Sequence, residues 1–362
     1  MLSTDAVHVD LPPMTFQGAL VLGGGVLRPA SLSVASGRIV AAGGADVDLS
    51  GFALLPGALD MGGALDGEAP SSDAVARLAG QAARAGTTSL WIGVDWPERH
   101  GGVKTVRESL GMLAACRDQL PVDLGVRFRV GTHAVETAAA LVQTLAELSA
   151  PFVVFQHPPD RERIAAEAEF GGAGPIARHL CRLASAFDGL GLRYATEADP
   201  DGEHRERFSM IGARLALRPK ARGAAASARA MGEPVVLAAA DILEGDRIGR
   251  SLAAMLLSEG LCDALGAFGA PCGPLEVVRR LVERELLPLG HAWALVSAGP
   301  AGILRRSDRG ALVAGTRADI AVMDAETREI AGTIAGGVLV HGTTRLLDRL
   351  RPTLERHGIA AE

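Results

Sequence analysis

Short apolar runs separated by glycines occupy the first part of the chain. Between Thr15 and Leu55 these runs are interrupted by Gly23-Gly24-Gly25, by Gly37 and by Gly43-Gly44. Because glycine adopts the positive φ angles of tight turns, this spacing predicts β-hairpins. The glycine triplet is not followed by a helical pattern with a phosphate-loop lysine, so a β-turn is predicted there rather than a nucleotide site.

The middle of the chain alternates between amphipathic helical stretches and short apolar runs. The helical stretches are Ser72 to Ala85, Val103 to Arg117, Ala134 to Leu148, Ile176 to Gly189 and Ala221 to Met231. The apolar runs that follow them are Thr88 to Val94, Asp123 to Val130, Phe152 to Phe155, Leu192 to Ala195 and Pro234 to Leu237. Repeated strand–helix alternation favours parallel strands joined by right-handed crossovers. The pattern predicts an α/β fold, a (β/α)8 TIM-like barrel.

The strand rhythm returns near the C-terminus. It covers Gly310 to Asp324 and Gly336 to Val340, and an amphipathic helix is predicted over 344–360. Strand-rich ends on both sides of a barrel predict one small β-sandwich built from both termini. The expected domains are a composite sandwich of 1–57 and 298–343, a barrel of 58–297 and a C-terminal helix within 344–362.

Charge and composition narrow the classes of partner. Among 362 residues, 36 Lys and Arg stand against 42 Asp and Glu, a net charge of −6 without a long basic run, so nucleic acid is not an expected partner. No apolar segment approaches the length of a membrane span, and no membrane partner is expected. The four cysteines are widely spaced without a C-x-x-C pair, which favours a reducing, cytoplasmic location.

Both ends of the chain resemble the amidohydrolase superfamily. The opening block is Leu54 to Asp66, and the closing block is His291 to Ala301, followed by Asp308-Arg309-Gly310 and Gly315 to Ile320. Within that superfamily the chain is similar to the phosphonate-pathway diphosphatase that acts on ribosyl-methylphosphonate triphosphate. Four internal segments carry this likeness: Val126 to Val130, Phe155 to Pro158, Pro219 to Gly232, and Leu261 to Leu265 ahead of Pro271. The resemblance implies a barrel with a β-sandwich and hydrolysis assisted by a divalent metal such as zinc.

The positions that the resemblance assigns to metal ligands hold other residues here. Gly62 and Ala64 replace a His-x-Asp pair, and Phe268 replaces a metal-facing aspartate. A Ser-His-Asp-Asp run falls on Thr196 to Asp199, and a Gly-Gly-Ser-His segment falls on Gly245 to Ile248. Glycine and alanine side chains offer no lone pair, so neither a metal site nor a cofactor is predicted. Whether the chain is an enzyme stays open.

Four residues are candidates for catalysis. His157 follows a predicted strand, at the end of the barrel where such folds carry their chemistry, and Glu197, Asp199 and His204 follow a later strand. These groups could supply an acid–base pair. The alternatives are a hydrogen-bonded structural histidine at 157 and a solvated acidic loop at 197–204.

Basic residues follow the next two strands. Arg218, Lys220 and Arg222 surround Pro219, and Arg247 and Arg250 come after the following strand. Because strand ends of a barrel share one rim, these five side chains could converge on a small anionic or phosphorylated ligand. The alternative is ordinary surface arginine.

Three functional hypotheses remain. In the first, the chain is a pseudoenzyme, related to phosphonate-metabolism hydrolases, which lacks the metal centre and binds an anionic ligand or a partner. In the second, it is an active hydrolase on a phosphorylated ribose or an amide-type substrate, with an atypical site whose polar side chains converge. In the third, it is a structural or interaction subunit, such as a homodimer, with a large apolar surface patch.

Overall fold

The structure, a computed structural model, describes residues 8–65, 71–148, 152–156, 174–244, 247–269 and 274–359. Its strands outside the barrel are β1 (Val9–Asp10), β2 (Met14–Gln17), β3 (Leu20–Gly23), β4 (Val26–Pro29), β5 (Leu32–Ala35), β6 (Arg38–Val40), β7 (Ala45–Asp48), β8 (Phe52–Pro56), the hairpin β16 (Leu243–Glu244) and β17 (Arg247–Ile248), and β19 (Ile320–Asp324), β20 (Ile330–Ala335) and β21 (Val338–Gly342). The barrel strands are β9 (Ala58–Gly63), β10 (Thr87–Trp96), β11 (Asp123–Gly131), β12 (Phe152–Gln156), β13 (Arg193–Glu197), β14 (Ala216–Leu217), β15 (Val235–Ala238) and β18 (Ala264–Gly266).

The described α-helices are α1 (Ser72–Arg84), α2 (His100–Cys116), α3 (Ala138–Ala146), α4 (Pro175–Gly189), α5 (Gly202–Met210), α6 (Arg222–Ala230), α7 (Leu252–Ser258), α8 (Pro274–Glu283), α9 (Leu289–Ala294), α10 (Ala298–Ile303) and α11 (Thr344–Arg356). Within the described residues, no helix is long and apolar enough to cross a bilayer.

A β-sandwich is built from both ends of the chain, as predicted. One sheet has the order β1-β21-β20-β19-β8-β3-β4, and the other has the order β6-β5-β2-β7. Phe16, Phe52 and Ile320 are fully buried between them, together with Leu350 from α11. Burial of these large side chains stabilises the sandwich through the hydrophobic effect.

The predicted strand over Gly310 to Asp324 is too long. Only its last part, β19, is a strand. Gly310 and Gly315 have φ angles of +86° and +94°, and the Thr316 hydroxyl donates to the Val313 carbonyl at 2.7 Å. These turns end the extended conformation before β19 begins.

The predicted (β/α)8 TIM-like barrel is confirmed. Eight parallel strands follow the order β18-β15-β14-β13-β12-β11-β10-β9. The two edge strands approach each other, since the Ala267 amide donates to Asp60 Oδ1 at 3.0 Å. The sheet therefore curves into a nearly closed barrel.

Strand alternation decides which side chains enter the barrel. On β10, Ile92 and Val94 pack outward against the helices, whereas Trp91 belongs to the interior cluster. On β11, Phe128 packs outward in the same way, so Arg127 and Arg129 point inward. The carboxyl ends of these strands form the mouth of the barrel, where sites of this architecture lie.

Candidate functional site at the barrel mouth

Arg127 is a charged side chain in the barrel interior. It is 2% exposed, and its Nε and Nη1 atoms have no hydrogen-bond partner among the described residues. A Cβ on Gly93 would lie 3.0 Å from Arg127 Nη2, so the guanidinium occupies the space that this glycine leaves. Burial lowers the pKa of Arg127 to about 10, which keeps the side chain charged at neutral pH.

Phe268 lies against this arginine and against a second one. Its ring centroid is 4.8 Å from the Cζ atom of Arg127 and 5.5 Å from that of Arg218. Both distances are within the range of cation–π attraction. Phe268 has a φ of +52°, an unfavourable angle for a non-glycine residue, and it therefore marks a constrained position.

Arg218 connects this pair to a carboxylate. Its Nη1 lies 3.3 Å from Glu197 Oε1, and its Nη2 lies 3.9 Å from Asp241. Glu197 is 8% exposed and accepts a second hydrogen bond, at 3.1 Å, from Gln156 Nε2. Gln156 and Glu197 are register partners on neighbouring strands, so the sheet itself positions this contact.

Arg129 completes the inner row of cations. Its Nη2 is 2.5 Å from Asp95 Oδ2 at the mouth. One layer below Arg127, the Trp91 indole lies beside Gly125. Buried donors without a partner among the described residues are Trp91 Nε1, Arg127 Nε and Nη1, Arg129 Nε and Arg218 Nε. This part of the barrel thus has unused donors, which suits an acceptor-rich or anionic ligand.

The catalytic candidates divide between separate places. His157 lies outside the described residues. Glu197 is in the mouth, whereas Asp199 and His204 form a pair at 3.2 Å between Asp199 Oδ1 and His204 Nδ1. Arg205 Nη1 lies 3.2 Å from the other oxygen of Asp199. The structure therefore brings Asp199 and His204 together, but it places Glu197 in a different hydrogen-bond network.

Local chain geometry explains this division. Ala198 has a φ of +66°, which turns the chain directly after Glu197. The Asp201 side chain then caps α5 by accepting the His204 amide at 2.8 Å. This turn directs Asp199 toward Arg205 on α5, and the Thr196 hydroxyl donates to Asp199 Oδ2 at 2.6 Å.

The predicted cationic residues are also separated. Arg218 is in the mouth, whereas Lys220, Arg222 and Arg250 are exposed on the surface. The Arg222 Nε donates to Glu259 at 2.8 Å, which is a surface ion pair. The side chain of Arg247 lies outside the described atoms.

Sequence reasoning missed Arg127 and Arg129 as site residues. A usable signal was present, because these arginines alternate with Phe128 and Val130 in a strand. In a barrel strand flanked by helices, the apolar set faces the helices, so the alternating charged set faces the interior. Gly93 on the neighbouring strand gives the space for the long side chains.

The described residues at the mouth do not fit a divalent metal ion. A Cβ on Gly62 would lie 2.5 Å from the Phe268 amide nitrogen and 2.8 Å from that of Ala267. The described residues contain no group of three or more His, Cys, Asp or Glu side chains that could hold a metal ion. Arg127 and Arg218 would also repel a second cation.

Asp60 is the buried carboxyl nearest to the expected first ligand pair. Its Oδ1 accepts the Gly62 amide at 2.8 Å and the Ala267 amide at 3.0 Å. Burial raises the pKa of Asp60, and these two bonds and Arg127 oppose the rise only in part. Asp60 Oδ1 thus joins β9 to the segment that follows β18.

A separate cleft lies on the outside of the barrel. It has a volume of about 1180 Å³ and lies between α1, α8 and the sandwich. Leu78, Val278 and Ile330 are among its apolar lining residues, and Asp60 lies at its barrel end. This cleft contains none of the three mouth arginines.

Comparisons with known proteins give a fold and no sequence family. No protein-family model and no curated protein matches the chain. A crystal structure of a D-hydantoinase superposes with a TM-score of 0.66 over 91% of this chain and 95% of that chain, at 15% identity.

Two further solved structures agree. The β-aspartyl dipeptidase from Fervidobacterium islandicum AW-1 has a TM-score of 0.65 over 92% of this chain and 97% of its own, at 12% identity. The N-acetylglucosamine-6-phosphate deacetylase from Pasteurella multocida has a TM-score of 0.66 over 91% of this chain and 100% of its own, at 13% identity. These proteins are amidohydrolases, and the chain has an amidohydrolase-like fold.

Proposed function

We propose that this protein is a metal-independent relative of the amidohydrolases that binds a small anion in the mouth of its barrel. The observation that supports this proposal is the buried guanidinium of Arg127, whose Nε and Nη1 donors have no partner among the described residues, at the end of the barrel where related folds carry their sites. A buried charge without a partner is costly, and its retention is explained if a ligand supplies the missing partner.

Arg129 and Arg218 extend the same site toward solvent. Their side chains are 32% and 29% exposed, and each has one buried Nε without a partner among the described residues. An anion that enters the mouth meets these two cations first and Arg127 last.

The proposal includes the loss of metal-assisted hydrolysis. It is supported by Gly62, Ala64 and Phe268 at the positions where the sequence resemblance implies ligands. The relationship to phosphonate-pathway hydrolases is part of this proposal, and the internal segments of the sequence support it. Protein loaded with zinc, manganese or nickel and then desalted is expected to contain no stoichiometric metal by elemental mass spectrometry.

The direct test is anion binding by isothermal titration calorimetry at low ionic strength and neutral pH. The probes are acetate, benzoate, inorganic phosphate and methylphosphonate, titrated into the wild type and into Arg127→Met. At least one probe is expected to bind the wild type and to lose about tenfold or more in affinity in the variant. Arg207→Met is the matched control, since Arg207 forms a surface pair with Glu203 on α5. Equal binding by both variants would refute the proposal.

A hydrolase with an atypical site is the second candidate. The observation that favours it is the buried Glu197 carboxylate in the mouth, which accepts hydrogen bonds from Gln156 and Arg218. A positioned carboxylate of this kind can act as a general base. Metal-free turnover of a cyclic amide that disappears in Glu197→Gln would establish this candidate, and absence of turnover in the wild type would exclude that substrate.

A further inference from the structure

The pairing of the charges in the mouth restricts which anion can bind there. Arg218 is within 3.3 Å of Glu197, and Arg129 is within 2.5 Å of Asp95. Arg127 is the remaining cation of this inner row, and no described carboxylate lies within ion-pair distance of it. Among the described residues, carboxylates therefore pair with two of the three arginines, and Arg127 is the one without a partner at ion-pair distance.

The surroundings of Arg127 are also acidic at longer range. Glu197 and Asp60 both interact electrostatically with its guanidinium. A ligand with one negative charge pairs with Arg127, but a second charge on the same group would face Glu197 and Asp60, and the described residues of the mouth offer no further unpaired cation. A phosphate monoester is mostly a dianion at neutral pH, because its second ionisation occurs near pH 6, and inorganic phosphate and phosphonates are dianions in part.

We infer that the mouth selects a carboxylate monoanion over phosphate and phosphonate groups, with Arg127 as the residue that binds it. This inference rests on the proposed anion-binding function and names its ligand class. Guanidinium and carboxylate groups match in a planar two-point contact. The Phe268 ring beside Arg127 adds an apolar wall, so a carboxylate attached to a flat carbon skeleton has a contact surface that inorganic phosphate cannot use.

Glu197 is the residue that sets the selectivity in this scheme. Replacing it by Gln removes one negative charge and keeps the size of the side chain, and Gln156 can rotate its amide to retain a hydrogen bond. The surroundings of a bound phosphate group then become more positive, since Arg218 keeps only the more distant Asp241, at 3.9 Å. Glu197→Gln should thus raise the affinity for phosphate and change the affinity for benzoate much less.

The experiment uses the full chain and the probes benzoate, acetate, inorganic phosphate and methylphosphonate in calorimetric titrations at neutral pH. The wild type is expected to bind benzoate at least about tenfold more tightly than phosphate, and Glu197→Gln is expected to reduce this ratio by about tenfold. Arg127→Met and Arg127→Lys should both lose benzoate binding, and circular dichroism checks that each variant is folded. Arg207→Met should behave as the wild type.

The possible outcomes distinguish selectivity for carboxylates from anion binding itself. Tighter binding of phosphate or methylphosphonate than of either carboxylate in the wild type, lost in Arg127→Met, overturns the inference and leaves the anion site in place. An unchanged benzoate-to-phosphate ratio in Glu197→Gln overturns the role of Glu197. If no probe binds in a way that depends on Arg127, the anion-binding function fails and the inference fails with it.

Discussion

Two buried arginines of this barrel have opposite surroundings. Arg205, on α5, is 0% exposed and lies 3.2 Å from both Asp199 and Glu233, and it also donates to the Leu215 carbonyl at 3.1 Å. Arg127, inside the barrel, is 2% exposed and has two N–H donors without a partner among the described residues. The fold provides Arg205 with two carboxylates, whereas no described carboxylate lies within ion-pair distance of Arg127.

The two arginines show under which conditions a fold tolerates a buried charge. Burial of an ion is tolerated when the fold provides counter-charges and hydrogen bonds, as around Arg205, where the contact of Nε with Glu233 Oε2 is an ion pair without a hydrogen bond. The same burial without partners is a cost to folding, and it persists where a ligand offsets it or where function requires it. Four substitutions test this contrast between Arg205 and Arg127.

The largest effect is expected for Arg205→Met. The substitution leaves Asp199 and Glu233 buried without their shared cation, so it should lower the free energy of unfolding by about 3–5 kcal/mol. Urea denaturation followed by circular dichroism measures this loss. A loss below about 1 kcal/mol would show that the network contributes little to stability, and the contrast with Arg127 would disappear.

The second substitution is at Gly62, where β9 lies close to the backbone of Phe268. Gly62→Ala places a Cβ about 2.5 Å from a backbone nitrogen of Phe268, and this overpacking should cost about 1–3 kcal/mol. Gly80→Ala is the matched control, because Gly80 lies in α1 and has no atom within 4 Å of its Cβ position. The control should be neutral or stabilising by up to about 1 kcal/mol, as expected for alanine in a helix. Equal stability of the two variants would contradict the close approach of β9 and β18.

Arg127→Met should have a small effect of the opposite sign to Arg205→Met. In a buffer without small carboxylates or phosphate, the variant is expected to be as stable as the wild type or more stable by about 1 kcal/mol, because the substitution removes a buried charge that has no ion-pair partner among the described residues. Thermal and urea unfolding in parallel with Arg205→Met measure the difference. A loss of more than about 2 kcal/mol would identify Arg127 as a structural residue.

Asp60→Asn tests how a buried carboxyl group near Arg127 makes the stability of the protein depend on pH. Burial raises the pKa of folded Asp60 above its ordinary value of 3.8, so its protonated form favours folding below that value, and this contribution is lost as the pH rises through the raised folded pKa. Asn keeps the oxygen that accepts the two backbone amides and removes the charge. The variant should therefore be slightly more stable than the wild type at neutral pH, and the difference should vanish below about pH 3.8. Urea denaturation across this pH range provides the measurement, and a less stable variant at neutral pH would contradict it.

Much of the fold could be predicted from local pattern. The helix predicted from Ser72 begins at that residue because Ser71 caps it, accepting the Ala74 amide at 3.2 Å, and it ends near Gly86, whose φ is +84°. Such caps and glycines are visible in the sequence. The strand over Gly310 to Asp324 was predicted too long, since the turns at Gly310 and Gly315 interrupt an otherwise apolar run.

The candidate site was less accessible from the sequence. Glu197, Asp199 and His204 are close along the chain, but the turn at Ala198 separates the first from the other two. Arg205 lies in the charged run of α5, which has the composition of a solvated helix, yet it is fully buried. The contact of Gln156 with Glu197 depends on strand register, which no local pattern encodes.

The close approach of Phe268 to Gly62 limits which substitutions could create a metal site here. The backbone and ring of Phe268 occupy the space above Gly62, and the same ring excludes a side chain at Gly266, where a Cβ would lie 2.7 Å from it. Histidine at position 62 alone would meet a steric clash before it contributed a ligand, and aspartate at position 268 alone would lack co-ligands among the described residues. A metal centre at these positions would therefore require several simultaneous substitutions, and no single step would lead toward it.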